Sequence, residues 1–156
     1  MEELRILSPL GILGYGFSEA AFYEGISRRP HLIALDAGST DGGPQKLGKG
    51  SGIVSERATK RDLGIILSEA VKLGIPVIIG SAGGTGCDIG IEWTLDIVKA
   101  ICSERHFSLK TAVIHSDIDK EIVRRALRER RIHPLGPVPE LSAEAVDETI
   151  RIVAQM

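Results

Sequence analysis

The sequence predicts a three-layer α/β domain. Its core is a mostly parallel, Rossmann-like or flavodoxin-like sheet in the strand order 2-1-3-4-5, with helices on both faces. Three observations carry this. Short apolar runs alternate with longer stretches of helical periodicity, the pattern of repeated strand–helix–strand units. The apolar runs are rich in β-branched residues and lack polar alternation, which suits strands covered on both faces. Several of them break into clusters of Gly, Ser, Thr and Asp, as an open parallel sheet does where it presents a binding crevice at its carboxyl edge.

The chain has 156 residues, enough for one domain with a real core. A hydrophobic fraction of 43% and a charged fraction of 26% are those of an ordinary globular protein. A formal charge of -2 argues against a nucleic-acid partner. No run approaches a membrane span, and no signal peptide is visible after Met1. Cys87 and Cys102 make neither a disulfide framework nor a metal quartet and read as reduced thiols, so the expected location is cytoplasmic.

Leu4 to Ser8 is the first strand, followed by Gly11, Gly14 and Gly16 in a spacing only loosely like a dinucleotide fingerprint. Ser18 caps a helix from Glu19 to about Arg28, and Pro30 stops it. The second strand, Leu32 to Leu35, ends at Asp36, and a long loop rich in glycine then reaches about Ser55. Thr59 caps a helix to Leu73 with Leu63, Ile66, Leu67, Ala70 and Val71 on one stripe, and Gly74 ends it. The third strand, Ile75 to Gly80, opens into Ser81-Ala-Gly-Gly-Thr-Gly-Cys-Asp88 before a helix from about Ile91 to Arg105. Leu109 to His115 is the fourth strand and Ile132 to Leu135 a brief fifth. Between them Asp117 or Asp119 caps a charged helix to about Arg131, and a last helix runs from Ser142 to Met156.

The candidate site residues lie at the ends of these strands. The loop from Ser81 through Gly83, Gly84 and Thr85 to Asp88 bares backbone N–H groups beside a helix start, which favours a phosphate or carboxylate. Ser8, Gly38, Ser39, Thr40, Asp41, Lys46 and Ser116 are further candidates for binding that ligand at the same edge. Asp36, His115 and Asp117 supply carboxylates and an imidazole for general acid–base work. No metal-binding spacing such as His-x-x-x-His occurs, so no metal is assigned. Asp36-Ala-Gly-Ser-Thr40 also looks like the phosphate loop of actin-like ATPases, although there the motif sits in an antiparallel hairpin. Neither glycine loop matches the P-loop pattern.

Four stretches occur together in a telling order: Asp36-Ala-Gly-Ser-Thr-Asp-Gly-Gly-Pro44, Leu47-Gly48, Ile79-Gly-Ser-Ala-Gly-Gly84 and Glu92-Trp-Thr-Leu-Asp96. In these motifs the first two thirds of the chain resembles the N-terminal domain of the acyclic terpene utilisation AtuA family. That resemblance implies a link to catabolism of branched acyl compounds, and, because longer members carry a second domain, that residues 1–156 are either a short member or the first domain of a longer family architecture.

The expected function is therefore that of a metabolic enzyme or enzyme domain. It would bind a small anionic metabolite, a carboxylate or an acyl thioester, at the carboxyl edge of the sheet. The alternatives are a non-catalytic binding or assembly module completed by a partner subunit, and nucleotide phosphate binding through the Asp36–Thr40 loop. The sequence names no cofactor. The partners it leads one to expect are the small anionic ligand and a second copy, domain or subunit, with neither nucleic acid nor membrane.

Overall fold

The computed structural model describes residues 3–38 and 43–154. It divides into two compact units, Met1–His115 and Ser116–Met156.

The first unit carries the sheet. Its elements are β1 (Ile6–Leu7), α1 (Glu19–Ser27), β2 (Leu32–Asp36), α2 (Gly43–Lys49), α3 (Glu56–Leu73), β3 (Val77–Gly80), a 3-10 turn (Ala82–Gly84) and α4 (Asp88–Arg105). The three strands are all parallel, in the order β1-β2-β3. Ile6 pairs with Leu32, Ile33 with Val77 and Asp36 with Gly80. Apolar side chains at helical spacing on α3 (Leu63, Ile66, Leu67, Ala70) and α4 (Ile97, Val98, Ile101) meet Ile33 and Leu35 of β2 in one core. Phe22 of α1 and Leu13 belong to the same cluster. Serine side chains start two of these helices: Ser18 accepts the N–H of Ala21, and Ser55 that of Ala58. Gly74, in the left-handed conformation at φ 65°, ends α3.

The five-strand sheet in the order 2-1-3-4-5 is not present. In that order the first strand is central and must be covered on both sides. Here β1 extends over only two residues, Ile6 is 56% exposed, and Pro9 follows closely. A short, half-wet strand belongs at an edge, and β2, with Ile33 and Leu35 buried, takes the centre instead. The strand order never reverses, so the sheet has no topological switch point of the kind that the order 2-1-3-4-5 would create.

The expected fourth strand, Leu109 to His115, adopts no ladder among the described residues, and nothing from 108 to 115 joins the core. Its apolar side chains Leu109, Val113 and Ile114 stay exposed, so the segment lacks the cover that stabilises a parallel strand. No strand forms at Ile132 to Leu135 either. The long loop predicted before Ser55 contains α2, and α3 starts at Glu56 rather than after Thr59.

The second unit holds α5 (Lys120–Arg128) and α6 (Ala143–Glu148), capped by Asp119 and Ser142. The predicted last helix stops at Glu148. Beyond it the chain turns extended, with an antiparallel bridge between Val153 and Asp117. The N–H of Ile118 donates to Ile152 O, and that of Ala154 to Ser116 O, both at 2.8 Å. Val146 is the buried side chain of α6, and Arg124 ties α5 to Asp147. Among the described residues, no helix is long and apolar enough to cross a membrane.

Candidate functional site

The carboxyl ends of β2 and β3 lie side by side, and their first loop residues touch. Asp36 turns its carboxylate back on its own loop: Oδ1 accepts the N–H of Gly38 at 2.8 Å. Its carbonyl accepts the N–H of Leu13 at 2.8 Å, which brings the loop after β1 against the end of β2. Gly38 is buried, and a Cβ there would stand 2.7 Å from Cβ of Ser81, so only glycine admits this approach.

Ser81 is the strained residue of the edge. It leaves β3 in the left-handed region (φ 47°, ψ 43°), which a non-glycine side chain rarely adopts. The turn Ala82–Gly84 follows and delivers the chain to α4. Gly83 (φ 73°) packs against that helix so closely that a Cβ would fall 2.2 Å from Cα of Gly90. The N–H groups of Gly84 and Gly86 donate to Ser81 O and Ala82 O. Two of the amides that sequence reasoning offered to an anion are thus engaged within the turn.

Lys46 reaches this neighbourhood through Gly52. Its Nζ donates to Gly52 O at 3.4 Å, and Gly52 in turn lies against the Gly83 carbonyl. At the start of α4, buried Cys87 occupies the cap position, with its sulfur 3.1 Å from Oγ1 of Thr85. Asp88 begins the helix, and its Oδ1 lies 2.7 Å from Nδ1 of His115. Both side chains keep about half or more of their surface in water, at 49% and 65%. A carboxylate on one imidazole nitrogen orients the ring and fixes which nitrogen faces outward, the arrangement a general base needs.

The structure therefore brings Asp36, Gly38 and Ser81 together, links Lys46 to Gly83 through Gly52, and pairs Asp88 with His115. Ser8 is exposed at the end of β1, two strands from Ser81 and so about 10 Å away across the sheet. Ser39, Thr40 and Asp41 lie outside the described residues. Ser116 and Asp117 belong to the second unit, where Asp117 Oδ1 lies 3.5 Å from Nε of Arg151. Among the described residues, no three His, Cys, Asp or Glu side chains are grouped to share a metal ion.

Sequence reasoning missed Asp62. It is 1% exposed on α3, and its Oδ2 accepts the N–H groups of Gly14 and Gly16 at 2.9 and 3.0 Å. The signal was present: Thr59, Asp62, Leu63, Ile66 and Leu67 fall on one helical stripe, so a carboxylate there had to face the protein.

No protein-family model, curated protein or solved structure matches the chain.

Proposed function

We propose that the chain is a metabolic enzyme or enzyme domain that binds a small anionic metabolite at the carboxyl ends of β2 and β3. Kinship with the N-terminal AtuA domain is part of this proposal and rests on the sequence motifs. The observation that carries the reading is Ser81. A serine held at positive φ against Gly38, where glycine would be unstrained, costs stability, and such strain collects at sites that use it. Its placement offers a hydroxyl at the strand end, with the Lys46 ammonium on the Gly52 side of the same turn. Asp36 and the Asp88-oriented His115 are the groups assigned to proton transfer.

The test is thermal melting of wild type and Ser81→Gly with and without sulfate, phosphate and short carboxylates. In the absence of anion the variant should be more stable by about 1 kcal/mol, because glycine relieves the strain. It should also lose anion-dependent stabilisation. An anion response that survives unchanged in Ser81→Gly overturns the reading.

A second reading, a binding or assembly module completed by a partner, is favoured by a separate observation. Ile78 of β3 and Ile114 are 55% and 71% exposed. A monomer seldom leaves apolar side chains grouped in water without a use for them.

A further inference from the structure

We propose that the groove along the outer edge of β3 is a binding site for a free aliphatic carboxylate. Its hydrocarbon chain lies along the strand and its head group sits at Lys110. The groove borders the turn at Ser81 through Ala82, but its ligand lies along β3, and it does not depend on the function proposed for that turn.

The groove has a volume of about 730 Å³, within the range of sites for small organic ligands. β3 ends the sheet, and among the described residues no strand pairs with its outer side. The segment Ser108–Ile114 forms the facing wall, and the C-terminal end of α3 and the first half of α4 complete the lining. β3 rises about 3.3 Å per residue, so its four residues give the groove a length of roughly 13 Å.

The lining selects the chemistry. Val71, Ile78, Leu95, Val98 and Val113 are aliphatic, and no aromatic side chain lines the groove among the described residues. A flat ring would find nothing to stack on, whereas a flexible chain meets methyl groups along its length. Thr94 does not add polarity, because its hydroxyl donates to Gly90 O at 2.8 Å within α4. Lys110 is the one charged residue among the described lining residues. Lys110, with Ser108 and Thr111 beside it, gathers the cation and two hydroxyls on one stretch of a mainly aliphatic wall, which complements a single anionic head on an aliphatic tail.

The experiment titrates the full chain with decanoate, hexanoate, decanol and decylamine by calorimetry, below their micelle concentrations, with sedimentation run in parallel. Decanoate should bind. Each methylene is worth up to about fourfold in affinity, so hexanoate should bind at least about tenfold more weakly. Decanol and decylamine should be weaker by about fivefold or more, for want of the charge that meets Lys110. Lys110→Gln should lower decanoate affinity to about the level of decanol. Ala112→Trp, which places a large ring in the groove from an exposed position, should abolish binding and leave the melting temperature in place. Ser81→Gly should keep the decanoate site that depends on Lys110 and on chain length, and lose at most the length-independent carboxylate binding proposed for the turn.

Four results overturn the proposal. Equal affinity for hexanoate and decanoate removes the chain site, and an unchanged Lys110→Gln removes the head-group assignment. Decanoate binding lost in Ser81→Gly would move the ligand to the other site. A stable dimer that excludes decanoate and falls apart in Ala112→Trp would show that a second copy covers the groove.

Discussion

Asp62 and Gly14 are joined across 48 positions of sequence by a hydrogen bond of 2.9 Å, from the glycine N–H to a buried carboxylate oxygen. The same oxygen accepts from Gly16, while Arg61 holds the other oxygen from the solvent side. One α3 side chain thus fixes the loop after β1, and that loop in turn packs its Leu13 N–H on the carbonyl of Asp36. The candidate edge is supported from below by a residue that takes no part in it.

Removing that support has a definite cost. Asp62→Ala leaves the N–H groups of Gly14 and Gly16 without their acceptor in a part-buried setting. We expect a loss of about 3 kcal/mol in urea unfolding, with Asp62→Asn losing less because its amide oxygen still accepts. A loss under about 0.5 kcal/mol for the alanine variant would show that the loop does not depend on this carboxylate.

Gly83 and Gly84 both sit at positive φ in the turn after β3, yet they should respond differently to alanine. At Gly83 a methyl group meets the backbone of Gly90 at 2.2 Å, and neither segment has a side chain that can move aside. At Gly84 the nearest atom is Cα of Gly52 at 3.4 Å, an ordinary contact. Gly84→Ala should therefore cost only the conformational term, about 1 kcal/mol. Gly83→Ala should cost at least about 2 kcal/mol more, as turn and helix are forced apart. Equal losses in chemical denaturation would contradict the close turn–helix packing.

These residues also show what was legible in the sequence. The strand at Leu32–Asp36, the helix ending at Gly74 and the turn entering α4 follow from local apolar runs and caps, and all three form. Strand order does not follow from local pattern. It depends on which strand the helices cover, and the two-residue β1 lost the centre to β2. Leu109–His115 has strand composition, but composition cannot reveal that nothing covers it. At the site, the glycine turn was visible while its packing purpose was not. A glycine needed for contact with Gly90 and one needed for a ligand look alike in sequence.

Acid should weaken the start of α6. Glu144 is held below the usual carboxylate range, first by its own backbone N–H and then by the Ser142 hydroxyl. A carboxyl group whose pKa is depressed on folding stabilises the fold above its unfolded pKa. That contribution is lost as pH falls through the folded pKa. Protection of the Ala145 and Val146 amides, taken as the intrinsic exchange rate at each pH divided by the observed rate, should therefore fall as the solution is taken from neutral to acid. Ser142→Ala should narrow the difference between the two conditions, since it removes both the cap on Ala145 and one of the bonds to Glu144. Protection factors in wild type that do not change with pH would show that Glu144 carries no such role.

The two units should differ in how they resist opening. In the first, α3, α4 and β2 share a continuous apolar core, so their amides should exchange only by near-global unfolding. In the second, Val146 is the buried apolar side chain of α6, and α5 buries none. What joins the two helices is largely charge: Arg124 with Asp147, and the Lys120 ammonium on Asp147 O at 2.7 Å. Exposed ion pairs contribute little and are screened by salt. Amides of α5 and α6 should exchange well before those of α3, and raising the salt concentration should speed them further while leaving α3 unchanged. Exchange by mass spectrometry at low and high salt reads both effects. Protection of α5 and α6 equal to that of α3 would mean that the second unit draws stability from something other than these pairs.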